Sequence, residues 1–344
     1  MKYNPALDGV RAISVIVVVA FHTSVAFAQG GMIGVDVFFV LSGYLITTIL
    51  RNELHNTGRI DLKRFYMRRA ARLMPALVLS VAGTYAAYSV FAPHLDLRRD
   101  VLVVLLYMSD YGTALWGVPA FMGVTWSLSV EEHFYVLWPF FLIATRNMPS
   151  RVLLRLLIAM FVAATAWRFA DALIWDDWTR TYYRFDTRMS GIILGAALAV
   201  GQWQVTEDAA RKFGKAALYV LALLVILLRW RFMPSLLIGG LMAEVATALL
   251  IAALASGHRT SVGKALSHPW LVYIGVLSYS IYLFHYGFAV ILRDLLDPLP
   301  AFALSFAAAF LLSAVSHRYV EKPIRSWAGR ARVGTLVASG ARAG

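Results

Sequence analysis

Two residues with the types and spacing to do chemistry lie in the first apolar stretch of the chain, Arg11 and His22. At ~100° per residue, a separation of eleven positions brings both onto one helix face, ~16 Å apart along the axis. Each ionisable group inside a membrane helix costs ~2.5–3.5 kcal/mol on insertion scales and therefore needs a reason. The spacing suits a long ligand whose anionic end contacts Arg11 while its other end reaches His22. The alternative is a snorkelling arginine and a histidine that is satisfied within the core.

Four further ionisable residues are predicted at the membrane depth of His22, namely Asp36, Glu131, Glu132 and His285. A histidine beside carboxylates could be a general base with orienting partners, part of a proton relay, or a metal site. We predict no bound metal. The alternatives are acids that stabilise a helix N-terminus and a hydrogen-bonded core histidine.

A basic cluster precedes the third apolar stretch, with Arg68, Arg69 and Arg72 within one or two helical turns of each other. Arginines one turn apart can bind phosphate, because the guanidinium fork matches the phosphate oxygens. Lys322 and Arg325, near the end of the last apolar stretch, have the same interpretation. The alternative is the ordinary excess of basic residues in cytoplasmic loops, in contact with lipid headgroups.

The elements that position these residues are predicted to be membrane-spanning helices. The chain has 344 residues, of which 60% are hydrophobic and 15% charged, whereas soluble domains carry ~25% charged residues. The apolar residues occur in blocks of ~17–25, which is the helix length that crosses a ~30 Å hydrocarbon core. We predict an all-α polytopic membrane protein with about ten transmembrane helices, at residues 9–28, 33–50, 73–92, 127–145, 152–174, 187–203, 214–231, 235–255, 270–292 and 299–319.

The basic residues orient these helices. If residues 101–118 form a re-entrant or interfacial segment, 21 Lys and Arg lie in cytoplasmic segments and 8 outside, with both termini cytoplasmic. The net charge of +13 then reflects topology, and we predict no nucleic-acid partner. We expect one membrane domain over residues 1–327 and a disordered cytoplasmic tail over 328–344. The absence of cysteine excludes disulfides, thiolate zinc sites and an acyl-cysteine intermediate.

Six motifs, taken in order, resemble those of the acyltransferase-3 family of bacterial membrane acyltransferases. They are LDGVRA at 7–12 followed by His22, GVDVFFVLSGY at 34–44, FYMRRAARLMP at 65–75, WSLSVEEHFY at 126–135, SYSIYLFH at 278–285 and EKPIR at 321–325. The resemblance runs from residue 5 to about residue 327. The departure from the family pattern is His133, which stands where relatives have another polar residue, often Gln.

The resemblance implies an O-acyltransferase of the bacterial cytoplasmic (inner) membrane. It implies transfer of an acyl group, usually acetyl, from cytoplasmic acyl-CoA to a hydroxyl of a glycan or a glycosylated small molecule. In the family the residues matching Arg11 and His22 are tied to catalysis, and those matching Arg69 and Arg72 to CoA. Some relatives carry an SGNH esterase-like domain after the core, and we expect the stand-alone form here.

On this basis we expect the CoA nucleotide to bind the basic cluster together with Lys322 and Arg325. We expect His22 to act as the general base, its imidazole oriented by Asp36, Glu131 or Glu132. The predicted substrate-binding residues are Tyr44, Ser129, Tyr282 and His285. Oxyanion stabilisation could come from Ser42, Tyr44, Ser129 or Tyr282. The alternative is a proton-coupled transporter or flippase with the His and carboxylate set as a proton relay, although no inverted repeat typical of transporters is visible.

Overall fold

The structure is a computed structural model that describes residues 3–91, 96–201, 203 and 205–328. Within these ranges the regular elements are helices and no β-strand occurs. The α-helices are α1 Pro5–His22, α2 Ile33–Thr57, α3 Leu62–Phe91, α4 Arg98–Leu105, α5 Ser109–Tyr111, α6 Trp126–Ala144, α7 Ser150–Trp175, α8 Trp178–Tyr183, α9 Phe185–Arg188, α10 Ser190–Gly201, α11 Glu207–Leu227, α12 Gly240–Ala255, α13 Ser261–Leu266, α14 Pro269–Leu295 and α15 Pro298–Ser316.

Among the described residues, seven helical segments are long and apolar enough to cross a membrane, and they contain α1, α2, α3, α7, α12, α14 and α15. The apolar α10 is shorter, at 12 residues. Helices α6 and α11 lie where two further spans are predicted. The protein is therefore an all-α, multi-pass membrane protein, which confirms the predicted fold class. The number of crossings and the side of each terminus stay predictions, and the expected tail, after Ala328, lies outside the described residues.

The stretch between α3 and α6 is broken into short pieces. The longest helix in it, α4, has eight residues and is therefore ~12 Å long, less than half of a hydrocarbon core. Side-chain hydrogen bonds join distant parts of this stretch to each other and join the stretch to α6. Asp100 Oδ2 accepts a hydrogen bond from the Ala120 backbone N at 2.7 Å, and Ser129 Oγ accepts one from the Ser109 N at 3.0 Å. No single helix crosses between residues 98 and 125.

Glycines set the closest helix crossings. A Cβ at Gly43 in α2 would overlap the Ile192 carbonyl of α10, and a Cβ at Gly195 in α10 would overlap the Val40 carbonyl of α2. A Cβ at Gly275 in α14 would likewise overlap the Asp8 carbonyl of α1. Small residues allow membrane helices to approach this closely. The resulting van der Waals contacts stabilise helix association in lipid, where the hydrophobic effect does not drive helices together. These crossings fix α2 against α10 and α1 against α14.

Two buried ion pairs join helices across the core. Arg188 Nη2 donates to Asp36 Oδ1 at 2.7 Å and connects α9 with α2. Arg168 Nη1 donates to Glu244 Oε1 at 2.8 Å and connects α7 with α12. The two arginines are 1% and 0% exposed, so each charge depends on its carboxylate partner. Removal of one partner would leave an uncompensated charge within the bundle.

Candidate active site

Two histidines from different helices are in direct contact. His22, the last residue of α1, places its Nδ1 3.1 Å from the Nε2 of His285 in α14. His285 Nδ1 lies 2.7 Å from the Tyr282 carbonyl oxygen and 3.2 Å from the Ile281 carbonyl oxygen. His22 Nδ1 also lies 3.0 Å from the Val18 carbonyl oxygen. Periodicity predicted the face of His22, and the pairing with His285 depends on the close approach of α1 and α14.

These contacts fix the tautomers of both neutral rings. Carbonyl oxygens only accept, so His285 Nδ1 carries its hydrogen and its Nε2 keeps a lone pair. The atoms within reach of His22 Nδ1 are the Val18 oxygen and that lone pair, so His22 Nδ1 carries a hydrogen as well. The basic nitrogen of His22 is therefore Nε2. No described residue forms a hydrogen bond to this atom.

The half-buried His22 lines a cavity of about 810 Å³, hereafter the His22 chamber. Aromatic side chains form much of its wall. The Tyr286 ring centroid lies 5.4 Å from that of His22, and the Trp230 and Tyr182 centroids lie 5.0 Å apart. Trp126 packs against Tyr182 at 4.9 Å. The chamber thus offers broad ring faces next to a basic nitrogen.

A second cavity of about 380 Å³ lies toward the N-terminal end of α1 and is hereafter the arginine chamber. Arg11 faces it and pairs with Asp8 at 3.1 Å. Arg69 also faces it, with Nε donating to Glu132 Oε1 at 2.8 Å and the guanidinium carbon 3.0 Å from the Tyr135 ring centroid. The chamber is therefore lined by three guanidinium groups and three carboxylates, and two of the arginines, Arg11 and Arg69, already have a carboxylate partner.

Arg72 is the arginine of this chamber that has no counter-ion. It is exposed to the cavity that it lines, and among the described residues it has no hydrogen-bond or ion-pair partner. Three other guanidinium groups repel it, those of Arg11, Arg69 and Arg325. Such an arrangement favours a ligand that carries negative charge, because phosphate oxygens can accept from several guanidinium groups at once.

The two chambers share two lining residues, Val35 of α2 and Tyr282 of α14. The Tyr282 hydroxyl lies 2.7 Å from Ser127 Oγ and donates to the Val124 carbonyl oxygen at 3.0 Å. Tyr282 also supplies the carbonyl that holds His285. A ligand in the arginine chamber and one in the His22 chamber would therefore approach each other at Tyr282.

The predicted partnership between His22 and an acidic residue is not found. Asp36 pairs with Arg188, and Glu131 Oε2 accepts from the Tyr135 hydroxyl at 2.7 Å. Glu131 and Glu132 face the arginine chamber rather than the His22 chamber. The prediction rested on equal depth along different helices. It gave no information about the direction in which each helix face points.

The remaining predicted residues divide between the two chambers and the packed core. Tyr282 lines both chambers, whereas Tyr44 and Ser129 are buried and line neither. Ser129 instead accepts from the Ser109 backbone N, so its contact is structural. His285 contacts His22 rather than lining a chamber.

The predicted cofactor-binding residues behave differently from one another. Arg69 and Arg72 line the arginine chamber, and Arg325 acts electrostatically on Arg72 from nearby. Arg68 and Lys322 do not line it. The part of the chain that the structure describes contains no group of three or more His, Cys, Asp or Glu arranged to hold a metal ion.

Several residues of the His22 chamber were not predicted. Arg229 and Trp230, from the connection between α11 and α12, line it, as do Arg293, Trp126 and Tyr286. The available signals were an Arg-Trp-Arg run at 229–231 on the predicted outer side and an aromatic residue directly after His285. His133, the departure from the motif, places Nδ1 3.2 Å from Asp110 Oδ2.

Comparison with known proteins gives one family and a set of relatives. A family model described as an acyltransferase domain, Acyl_transf_3, matches residues 4–318. The chain is 33% identical over 349 aligned residues to the peptidoglycan O-acetyltransferase OatA of Listeria monocytogenes, covering 94% of this chain and 56% of the relative. It is 30% identical over 352 residues to the O-acetyltransferase OatA of Staphylococcus aureus, covering 94% of this chain and 57% of the relative. The chain thus spans about half the length of the curated relatives that it matches. No solved structure matches it.

Proposed function

The chain belongs to the acyltransferase-3 family, and from this membership we propose that it is a bacterial membrane O-acyltransferase. The proposed reaction moves an acyl group, acetyl in the first instance, from cytoplasmic acyl-CoA to a hydroxyl of a carbohydrate acceptor. The observation that carries the proposal is a histidine with a free basic nitrogen, next to a chamber with an unpaired arginine. The names of the relatives, peptidoglycan O-acetyltransferase and O-acetyltransferase, support an acetyl group and a glycan acceptor.

The arginine chamber is the proposed donor site. Arg72 lacks a counter-ion and would bind donor phosphate, and the N–H groups of Arg11 and Arg69 that are not used by Asp8 and Glu132 could donate to the same phosphate. The predicted topology puts the N-terminal end of α1, and so this chamber, on the cytoplasmic side, where acyl-CoA is found. Because the chambers adjoin at Tyr282, a thioester could lie beside the His22 chamber while the nucleotide stays among the arginines.

His22 is the proposed general base. The acceptor hydroxyl oxygen attacks the thioester carbonyl carbon as its proton passes to His22 Nε2. The C–S bond then breaks, and the leaving thiolate takes the proton back from the imidazolium. General base catalysis of this kind contributes ~10²–10⁴ in rate.

Two further residues support this step in the proposal. His285 accepts the Nδ1 hydrogen of His22, which keeps Nε2 basic and shares the positive charge when Nε2 is protonated. Tyr282 is the proposed oxyanion donor, since it is the one hydroxyl among the described residues that lines both chambers, and its single hydrogen turns from the Val124 carbonyl oxygen to the oxyanion during the reaction. Asp36 is left out of the chemistry because Arg188 occupies its carboxylate.

The test measures thiol release from acetyl-CoA by the purified protein in nanodiscs, with and without candidate glycans. Wild type is compared with His22→Ala and with His55→Ala, a change at an exposed histidine of α2. We expect release that rises with an acceptor, falls ~10²-fold or more in His22→Ala and is unchanged in His55→Ala.

Two outcomes would contradict the proposal in different ways. Full release by His22→Ala would move the general base to another residue. Absence of both acetyl-CoA binding and thiol release would reject acyl transfer, and the proton-coupled transporter would become the leading interpretation, with His22 and His285 as its relay.

A further inference from the structure

The His22 chamber is lined by two guanidinium groups and by no carboxylate. Arg229 and Arg293 face it together with His22, and none of its described lining residues is Asp or Glu. Arg293 is close enough to His22 to act on the ring electrostatically. The positive charge of this chamber therefore lies beside the nitrogen that is proposed to take the acceptor proton.

Neither of the two guanidinium groups has a buried carboxylate partner among the described residues. The Arg229 side chain forms no hydrogen bond or ion pair with a described residue, and only its backbone N is bound, to Ser235 Oγ at 3.0 Å. Arg293 Nε lies 3.7 Å from the adjacent Asp294, whose side chain is 75% exposed to solvent. Pairs of exposed charges of this kind contribute ~0–1 kcal/mol. Both arginines are also on the predicted outer side, where basic residues are normally depleted.

The aromatic wall of the chamber is held rigidly from behind. The Trp178 ring stacks on Tyr182 with centroids 4.3 Å apart and contacts Trp230 edge to face, also at 4.3 Å. Arg188 lies 4.9 Å from the Tyr182 ring centroid and is fixed by Asp36. Rigid rings present apolar surface at little entropic cost, which suits a ligand with apolar ring faces and polar edges, such as a sugar.

We propose that the acceptor is an anionic carbohydrate, whose carboxylate or phosphate binds Arg229 and Arg293 while a sugar ring packs against the aromatic wall. This inference rests on the proposed acyl transfer and names its substrate class. Guanidinium groups bind both kinds of anion through paired N–H donors. The anion anchors the acceptor so that a nearby hydroxyl faces His22 Nε2, and the two arginines act as specificity-determining residues.

The experiment measures binding first, without a donor, so that it does not depend on turnover. The purified protein in neutral-lipid nanodiscs is titrated with a hexuronate oligosaccharide and with the same oligosaccharide after carboxyl reduction. A phosphorylated oligosaccharide and its dephosphorylated form make a second pair. The variants are Arg229→Gln and Arg293→Gln, with Arg99→Gln as the control, since Arg99 is exposed and lines none of the cavities named above.

We expect at least one anionic member to bind about tenfold or more tightly than its neutral partner, equivalent to ~1.4 kcal/mol. Each of Arg229→Gln and Arg293→Gln should remove most of that ratio, and Arg99→Gln should keep it. Acyl transfer to the same pairs should follow the same order.

The inference would be overturned if charged and neutral members bound equally, or if neither bound. It would also be overturned if the two variants lowered thermal stability without changing the binding ratio, since the arginines would then act only in folding. A protein that binds the anionic sugar but releases no thiol from acetyl-CoA with any acceptor would contradict the proposed function instead. The two failures are therefore distinguishable.

Discussion

His285 holds His22 in one tautomer. The His285 Nε2 lone pair faces the His22 Nδ1 hydrogen across 3.1 Å, and the Tyr282 carbonyl oxygen fixes the His285 hydrogen at 2.7 Å. The second histidine thus occupies the place that a carboxylate takes in many catalytic triads. Unlike a carboxylate, it adds no negative charge beside the base, so the pair can lie among apolar helices without a counter-ion.

The first prediction concerns this pair. His285→Ala should lower kcat for acyl transfer about tenfold to a hundredfold, by analogy with the loss seen when the hydrogen-bond partner of a metal-bound histidine is removed. KM for acetyl-CoA should stay unchanged, because His285 does not line the arginine chamber. His285→Gln, whose amide oxygen can still accept from His22 Nδ1, should recover part of the loss. Steady-state kinetics with His258→Ala as control would check this, and an equal loss in the Gln variant would contradict the role of His285 as hydrogen-bond acceptor.

The second prediction concerns the unpaired arginine. Arg72→Ala should raise KM for acetyl-CoA about 10–150-fold, as expected when a charge-assisted hydrogen bond worth ~1.5–3 kcal/mol is lost. Arg72→Lys should give an intermediate value, since lysine keeps the charge but loses the fork. Arg59→Ala, at an exposed arginine after α2, is the matched control. A fall in kcat at unchanged KM would place Arg72 outside the donor site.

The third prediction separates structure from chemistry at Asp36. Asp36→Ala should destabilise the protein by ~3–5 kcal/mol, because it leaves Arg188 buried and unpaired. Thermal unfolding in detergent would measure this as a lower Tm. The double variant Asp36→Ala with Arg188→Met removes both charges and should recover most of the lost stability and thiol release. A double variant that folds well but has no activity would instead show that the Asp36–Arg188 pair takes part in catalysis.

The fourth prediction concerns the hydroxyl that lies between the chambers. Tyr282→Phe should lower kcat ~10²–10³-fold if this hydroxyl stabilises the oxyanion. The phenylalanine ring should keep the wall in place, so acetyl-CoA binding should be unaffected. Tyr319→Phe, at a tyrosine that is 67% exposed, is the control. Wild-type kcat in Tyr282→Phe would exclude the proposed role.

The sequence was sufficient for the fold class and for one helix face. Hydropathy located the apolar segments, because lipid requires a helix of nearly constant length. The ~100° periodicity placed Arg11 and His22 on one face, and the structure has them lining two adjoining chambers.

The contacts between helices could not be predicted in the same way. Asp36 is separated by 152 residues from its partner Arg188, and His22 by 263 from His285. Depth in the membrane is a one-dimensional quantity, whereas these pairings depend on the rotation of each helix and on which helices are neighbours. Arg229 and Trp230 lie in a connection, where neither hydropathy nor periodicity gives a position.

Val35 and Tyr282, which line both chambers, form the boundary between the proposed donor site and acceptor site. Donor and acceptor would meet only at this boundary, with the donor in the arginine chamber and the acceptor in the His22 chamber. The acyl group would then change compartment while the nucleotide and the sugar stayed where they were. Transfer of this kind is vectorial, and it needs no separate carrier for the activated acyl group. A cell could modify material outside its bilayer while retaining all of its coenzyme.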